Sequence, residues 1–266
     1  MRWTVHTVVY LVLGACLVAC RNKAILINCS WQYENYRHFS NVRALQSILQ
    51  GHGYAAEDIA VFMKQDLLAD KRNTMEKLCI GDSLLEEGKD YTPKRRSSSY
   101  FDILNLISGD DPVMLGADGT TNLLIYLTGH GGDGFIKYCN RKYYYTDDLT
   151  DALIRLQAVR PLNKVFFISD TCQADTLIDA SRLPPNVSVL STSLKGESSH
   201  SANFNNDLNI YPIDLFAMSM YKLAQKGSNL LLSDLPKVLP PSTLLSTLSL
   251  HGPDAHLNDF LHSPPH

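Results

Sequence analysis

Five short runs of mainly apolar residues recur along the chain and predict buried strands. They cover residues 24–29, 59–63, 122–128, 165–168 and 187–190. Short runs that stay apolar at nearly every position are typical of strands buried on both faces of a parallel sheet. The pattern therefore predicts a largely parallel sheet in the interior of the protein.

Amphipathic segments alternate with these runs and predict helices that cover the sheet. The predicted helices begin near Ser40, Thr146 and Pro212, and the last one ends at Gly227. Ser and Thr cap helix N-termini, while Pro favours the first helical position and Gly the residue after the last. Strands that alternate with helices indicate an α/β fold, here a three-layer sandwich of about six mostly parallel strands with helices on both faces.

Two polar regions interrupt this pattern. Residues 64–99 are expected to form a long surface loop. A structural cation site or a partner-docking patch is the alternative to simple solvation. The acidic residues of this region are Asp82, Glu86, Glu87 and Asp90. An edge strand is expected near residues 244–250, followed by a tail whose last residues fray from Ser263 onward.

The totals limit the function classes. The 266 residues, 45% hydrophobic and 19% charged, are enough for one domain with long loops. A formal net charge of -3 and a pI near 6.3 exclude the basic surface that nucleic-acid binding requires.

The N-terminus has the composition of a secretory signal peptide, predicted to span residues 1–20. Arg2 precedes an apolar run at 8–18, and small Ala19 and Cys20 precede polar residues. The run is shorter than the roughly 20 residues of a membrane span, and no later run approaches that length. The alternatives are a buried first strand, a weak membrane anchor and a bacterial lipoprotein box ending at Cys20.

Four cysteines remain after the predicted cleavage, namely Cys29, Cys79, Cys139 and Cys172. They are too few and too widely spaced for a disulfide scaffold or a zinc site, both of which use close pairs. None of the histidines has metal-ligand spacing. We therefore expect no metal and no cofactor, and we consider a reactive thiol.

A histidine and a cysteine follow two of the predicted strands directly. The strand at 122–128 leads into Gly129-His130-Gly131, and the strand at 165–168 leads into Ser169-Asp170-Thr171-Cys172. Ligands bind at the carboxyl ends of parallel strands, so these two side chains are expected to share a cleft. An imidazole can take the proton of a thiol and so produce an attacking thiolate.

The backbone around this pair could stabilise an oxyanion. The amides of Gly131 and Cys172 are the candidate donors, and a helix predicted after Cys172 would favour the thiolate through its dipole. Taken singly, a cysteine after a strand is often a small buried hydrophobe and a lone histidine is often structural. Their combination at matching strand ends favours catalysis.

The two motifs carry a specific resemblance. Thr128 to Phe135 reads TGHGGDGF and Ile168 to Ala174 reads ISDTCQA. With Asn35-Tyr36-Arg37-His38 after the first strand, they resemble the catalytic subunits of GPI transamidase, within the legumain-like cysteine peptidases. The resemblance runs from about residue 24 to 250. It implies a caspase-like catalytic domain at 21–250 and a C-terminal tail at 251–266.

The resemblance implies an acyl transfer. Cys172 would attack the carbonyl at the small-residue site of a C-terminal signal, His130 would act as base and then acid, and Asn35 would orient His130. A GPI lipid amine would resolve the acyl-enzyme. Asn35 as a mere capping residue is the alternative. Asp170, Gln173 and Ser193 are candidates for lining the substrate cleft.

The same resemblance implies an endoplasmic reticulum location, held at the membrane by other transamidase subunits. Relatives often carry a partner-linking cysteine in the loop that reads Asp66-Leu67-Leu68-Ala69-Asp70 here, and none is present. A covalent link through that loop is therefore not expected. A stand-alone asparaginyl endopeptidase and an inactive partner-binding scaffold are the competing hypotheses.

Overall fold

A six-stranded sheet forms the centre of the protein in the computed structural model, which describes residues 22–74, 78–80, 83–85, 100–227 and 229–263. The strands are β1 (Lys23–Asn28), β2 (Ile59–Phe62), β3 (Leu78–Ile80), β4 (Ser83–Leu85), β5 (Asn122–Thr128), β6 (Gly131–Gly132), β7 (Phe135–Tyr138), β8 (Lys142–Tyr145), β9 (Lys164–Asp170), β10 (Val187–Ser191) and β11 (Ser249–His251). The helices are α1 (Tyr36–Gly51), α2 (Tyr100–Ile107), α3 (Thr146–Val159), α4 (Leu215–Gln225), α5 (Leu235–Val238), α6 (Pro241–Leu244) and α7 (Asn258–Leu261).

The central sheet has the order β11-β10-β9-β5-β1-β2. Its strands are parallel except β11, which pairs antiparallel with β10. Asn28 pairs with Thr128, and Thr128 pairs with Asp170, so β1, β5 and β9 end at the same level. The prediction of about six mostly parallel strands is confirmed.

The five parallel strands of the central sheet are buried on both faces. Alternate residues of β1 point to opposite sides, with Leu26 in one apolar cluster and Ile25 and Ile27 in the other. Helices α1 and α4 pack over the first face, and α2 and α3 over the second. This double covering explains why the strands lack polar alternation, and it confirms the three-layer α/β fold.

The predicted starts of two helices are wrong by a few residues. Helix α1 begins at Tyr36, and Ser40 is buried inside it rather than capping it. The aromatic rings of Tyr33, Tyr36 and Phe39 pack in sequence, which extends the apolar face toward the N-terminus. Helix α4 begins at Leu215, three residues beyond Pro212.

The third helix starts where the sequence predicts. Helix α3 begins at Thr146, and the residue before it, Tyr145, occupies the cap position. The Tyr145 backbone N–H donates to the Asp148 carboxylate at 2.9 Å. An acidic side chain in the first turn satisfies a free amide there and complements the helix dipole.

The region predicted as a long loop contains secondary structure. Strands β3 and β4 form an antiparallel ribbon within residues 64–99. The acidic residues considered for a cation, Asp82, Glu86, Glu87 and Asp90, lie outside the described residues, as does the signal peptide predicted at 1–20. Among the helices of the described ranges, none has the length and apolar character to cross a membrane.

The C-terminal segment packs against the domain. The edge strand β11 covers Ser249–His251, whereas Leu244 lies in α6. Phe260 and Leu261 are buried, and the Ser263 N–H donates to the His52 carbonyl at 3.0 Å. Residues 251–263 thus close one end of the sheet.

Candidate active site

The loops after β5 and β9 meet at the carboxyl edge of the sheet. Thr128 and Asp170 are register partners, and His130 and Cys172 each follow two residues later. Adjacent strands lie about 4.8 Å apart, so the two loops begin side by side. The Thr171 hydroxyl donates to the Gly129 carbonyl at 2.8 Å and ties the loops together.

His130 and Cys172 line the same small cavity, of about 20 Å³. A cavity of this volume holds about one water molecule or a comparably small group. Its lining consists of Arg37, His38, Gly129, His130, Asp170, Thr171, Cys172, Ser199 and Asp214. The two side chains that the sequence placed at equivalent strand ends therefore share one cleft.

Asn35 fixes the orientation and the tautomer of His130. The side-chain oxygen of Asn35 lies 2.6 Å from Nε2 of His130, while its amide nitrogen donates to the Trp31 carbonyl at 2.8 Å. The Trp31 carbonyl orients the amide nitrogen, and an amide oxygen can only accept, so Nε2 of His130 carries the proton. The Nδ1 atom is left with a free lone pair that can act as a base.

The surroundings of His130 keep it uncharged. Burial, followed by the positive charges of Arg37 and Lys137, lowers the pKa of His130 to about 4. The imidazole is therefore neutral at physiological pH. A neutral ring is the form that accepts a proton from a thiol.

The chain turns sharply at Cys172. Gln173 has a left-handed backbone conformation, with φ of 53°, and only one 3-10 turn follows, at Ala174–Thr176. The prediction that Cys172 precedes a helix whose dipole favours the thiolate is therefore wrong. The left-handed residue prevents a helix from starting at the cysteine.

Two of the candidate substrate-binding residues support this turn instead of lining the cavity. The Gln173 side-chain oxygen accepts from the Gly196 N–H at 3.1 Å. The buried Ser193 hydroxyl donates to the Thr171 carbonyl at 2.7 Å and accepts from the Ala174 N–H at 3.1 Å. Both side chains stabilise the backbone of the loop that carries Cys172.

Gly131 leaves room for that loop. A Cβ atom at Gly131 would lie 2.5 Å from the Thr171 hydroxyl oxygen and 2.8 Å from the Cys172 carbonyl oxygen. Gly131 faces Ile136 in the β6–β7 ladder, where the neighbouring bond runs from Lys137 N–H to the His130 carbonyl at 2.7 Å. This pattern makes the Gly131–Ile136 pair the non-hydrogen-bonded kind, which leaves the Gly131 amide outside the ladder.

A buried ionic network that the sequence reasoning missed forms the rest of the cavity. Arg37 Nε lies 3.2 Å from one Asp214 oxygen, and the Asn41 amide donates to the other at 2.6 Å. His38 Nε2 lies 3.7 Å from the same carboxylate, and its ring packs edge-on against His130 with centroids 5.0 Å apart. Two of these residues, Arg37 and His38, belong to the Asn35-Tyr36-Arg37-His38 motif after the first strand.

Asp170 belongs to this network and lines the cavity, and its role in substrate binding stays a prediction. Its carboxylate accepts from the Tyr126 hydroxyl at 2.6 Å and from the Thr192 and Ser199 hydroxyls. Burial raises the pKa of both Asp170 and Asp214, and the nearness of Asp214 raises that of Asp170 further. Burial and the Arg37 charge lower the pKa of His38 well below its usual value.

Comparison with known proteins places this geometry in a family. The model of the Peptidase C13 family matches residues 22–231. The chain is 27% identical over 243 residues to a putative GPI-anchor transamidase of Drosophila melanogaster, covering 86% of this chain and 68% of that protein. It is 26% identical over 245 residues to the GPI-anchor transamidase of Homo sapiens, covering 85% of this chain and 60% of that protein.

The Saccharomyces cerevisiae GPI-anchor transamidase is 27% identical over 233 residues, which are 80% of this chain and 55% of the yeast protein. The chain thus spans between 55% and 68% of the length of these relatives. Among solved structures, caspase-1 from Spodoptera frugiperda superposes with a TM-score of 0.54 at 12% identity, covering 88% of both chains.

The structural likeness shows that the fold is caspase-like, and the family match covers most of the residues that build the sheet and its carboxyl edge. The chain belongs to the Peptidase C13 family and is a cysteine peptidase-type enzyme.

Proposed function

We propose that this chain is the catalytic subunit of a GPI transamidase, which cleaves a C-terminal signal and attaches a GPI anchor to the new C-terminus. The observation that carries the proposal is that Cys172 and His130 line one cavity at the carboxyl edge of the sheet. The similarity to GPI-anchor transamidases from fly, yeast and human supports this substrate class over others in the family.

In the first step, Cys172 forms a bond from its sulfur to the carbonyl carbon of the signal's cleavage site. Nδ1 of His130 takes the thiol proton as the bond forms, and Nε2 keeps its bond to Asn35. The amides of Gly131 and Cys172 stabilise the oxyanion. His130 then gives its proton to the departing amine, which leaves a thioester on Cys172.

In the second step, the amine of the GPI lipid attacks the thioester carbonyl. His130 accepts a proton from this amine, the carbon–sulfur bond breaks, and the proton returns to the thiol. The product is an amide between the protein's new C-terminus and the lipid. Asn35 acts throughout as a positioning residue because it holds the ring of His130.

The cavity beside Cys172 supports a small residue at the cleavage site. Its volume of about 20 Å³ and its charged lining by Arg37, Asp170 and Asp214 leave no room for a large apolar side chain. A methyl or hydroxymethyl group fits a space of one water molecule. This matches the small-residue sites of signals for GPI attachment.

The proposal places the chain in the lumen of the endoplasmic reticulum, delivered by the signal peptide predicted at residues 1–20. We expect it to act in a complex with other, membrane-embedded transamidase subunits, which bring the precursor and the GPI lipid to its cleft. No nucleic acid and no cofactor enters the proposed reaction.

A stand-alone asparaginyl endopeptidase is the second candidate, because the same cysteine and histidine could pass the acyl group to water. The test is to purify the chain with its partners from membranes and supply a precursor carrying a small-residue signal site, with and without hydrazine. A transamidase is expected to form the C-terminal hydrazide as the main product. Efficient cleavage to the free acid by the isolated chain would favour the peptidase.

A further inference from the structure

Two cysteines that take no part in the proposed reaction meet beside the site. Cys29 follows β1 directly, and Cys139 lies in the turn between β7 and β8. The Cys139 N–H donates to the Cys29 carbonyl at 2.7 Å, and the two residues are 4% and 0% exposed within one apolar cluster. This direct backbone hydrogen bond brings the two Cα atoms near the roughly 4.4–6.8 Å that a disulfide spans.

The electrostatic surroundings agree that the thiols are neighbours. Burial, followed by the nearby thiol of Cys139, raises the pKa of Cys29 well above its usual value. Both are free thiols in this structure. The sequence concealed the pair, because about 110 residues separate the two positions and neither belongs to a close Cys motif.

Cys139 has a backbone conformation that cysteine rarely adopts. Cys139 and Asn140 have φ of 51° and 57°, and the Arg141 N–H donates to the Tyr138 carbonyl at 3.1 Å. Tight hairpin turns of this kind strongly prefer Asn, Asp or Gly, since other residues pay for a positive φ. A cysteine at this position therefore carries a conformational cost, as residues with a functional side chain often do.

We propose that Cys29 and Cys139 form an intramolecular disulfide when the chain folds in an oxidising compartment, and that this bond fastens the hairpin next to His130 to the end of β1. The proposal rests on the proposed function only for the choice of compartment. The two thiols lose two protons and two electrons as the S–S bond forms. These pass to the disulfide of a thiol oxidoreductase or of oxidised glutathione, which becomes two thiols.

The bond would fix both partners of the His130–Asn35 contact. Cys139 directly follows strand β7, whose Lys137 N–H donates to the His130 carbonyl. From Cys29 the chain runs to Trp31, whose carbonyl holds the amide of Asn35. A covalent link between the two segments would fix the position of His130 relative to Asn35.

The first test maps the disulfide directly. The full chain is expressed through the secretory pathway of eukaryotic cells, denatured with N-ethylmaleimide, digested without reductant and examined by mass spectrometry. We expect one peptide that joins Cys29 to Cys139 and disappears on reduction, while Cys172 is alkylated. Alkylation of both Cys29 and Cys139, or a link from either of them to another cysteine, would overturn the proposal.

The second test measures what the bond does. Dithiothreitol is expected to lower the midpoint of thermal unfolding of the unaltered chain by about 5–15 °C, because the closed loop is long. The Cys29→Ala/Cys139→Ala variant should unfold at the same temperature with or without dithiothreitol, whereas the matched Cys79→Ala control should keep the shift. An unaltered chain whose unfolding midpoint does not change with dithiothreitol would contradict the proposed disulfide.

Both readouts are independent of acyl transfer. A chain that carries the linked peptide and yet forms no hydrazide or anchored product would count against the proposed function and leave the disulfide in place. A chain that transfers acyl groups with both thiols alkylated would count against the disulfide alone.

Discussion

The chemistry of this enzyme depends on how single residues are held. Cys172 is only partly buried and lines the cavity, and the backbone turns sharply at Gln173 directly after it. His130 is neutral and is anchored through Nε2 to Asn35, which leaves Nδ1 for proton transfer. The proposed nucleophile and the proposed base are therefore positioned by the local backbone and by one amide side chain.

Replacement of the thiol should abolish the reaction and preserve the fold. We expect Cys172→Ala to lower hydrazide formation by more than about 1,000-fold, because no other side chain can carry the acyl group. The midpoint of thermal unfolding should stay within about 2 °C of the unaltered chain, since little buried volume is lost.

Asn35 should matter through its effect on His130. Asn35→Ala is expected to lower kcat about 10- to 100-fold with a small change in KM, because the ring can then rotate or change tautomer. Asn35→Asp restores an acceptor and adds a negative charge, which raises the pKa of His130 and moves the acid limb of the pH–rate profile upward. Unchanged kcat and pH profile in both variants would show that Asn35 only caps the chain.

The Arg37 charge should likewise set the acid limb. Since the pKa of His130 is lowered to about 4, its protonation should limit kcat/KM only as the pH falls toward that value. Arg37→Gln removes a positive charge and should move the limb to higher pH, whereas Arg37→Lys should largely preserve it. An identical limb in all three proteins would contradict this assignment.

The elements bring these residues together. The parallel register of β5 and β9 places two loops at one level, and a glycine at position 131 lets them touch. The strand-end positions of His130 and Cys172 were predictable, because buried apolar runs reveal where parallel strands end. The turn at Gln173 was not, since a left-handed residue leaves no periodic signal.

Other parts of the site could not be derived from local sequence. Asp214 reaches the cavity from the start of α4 and bonds Asn41 across more than half the chain, so only the folded sheet brings them together. Ser193 and Gln173 lie in loops after strands β10 and β9, as the sequence predicts. Their side chains bond the loop backbone, whose buried amides and carbonyls need hydrogen-bond partners.

The close contact at Gly131 should make it intolerant of any side chain. Gly131→Ala is expected to lower the free energy of unfolding by about 1–3 kcal/mol and to remove activity, because the new methyl group would overlap Thr171 and Cys172. Gly51→Ala is the matched control, since a Cβ there meets nothing within 4 Å. Equal stability and activity in the two variants, measured by urea unfolding and hydrazide formation, would contradict the packing described for β6.

At the scale of the whole molecule, the sheet gathers at one edge buried titratable groups whose pKa values are shifted in opposite directions. His38 and His130 have lowered pKa values, while Asp170 and Asp214 have raised ones. Below the ordinary histidine pKa of about 6.5, these histidines bind protons in the unfolded chain but stay neutral in the folded chain, which favours unfolding. The carboxyl pair acts in the opposite direction, because the folded state takes up its protons more readily than the unfolded chain.

This opposition predicts how stability responds to acid. His130→Asn removes one histidine with a lowered pKa. Between pH 7 and pH 5 the free energy of unfolding of this variant should therefore fall less than that of the unaltered chain, by about 1 kcal/mol with solvent screening included. Asp214→Asn removes a compensating carboxyl and should lose more. Urea unfolding at several pH values measures both, and parallel pH profiles for all three proteins would refute the account.

The acyl-enzyme itself gives the most direct test of the reaction. The purified complex is mixed with a precursor bearing a small-residue signal site, quenched in acid before any amine is added, digested and examined by mass spectrometry. We predict a thioester that joins Cys172 to the new C-terminal residue of the precursor, absent in His130→Ala. An acyl group on another residue, or anchored product formed by Cys172→Ala in cells lacking the native enzyme, would contradict the mechanism.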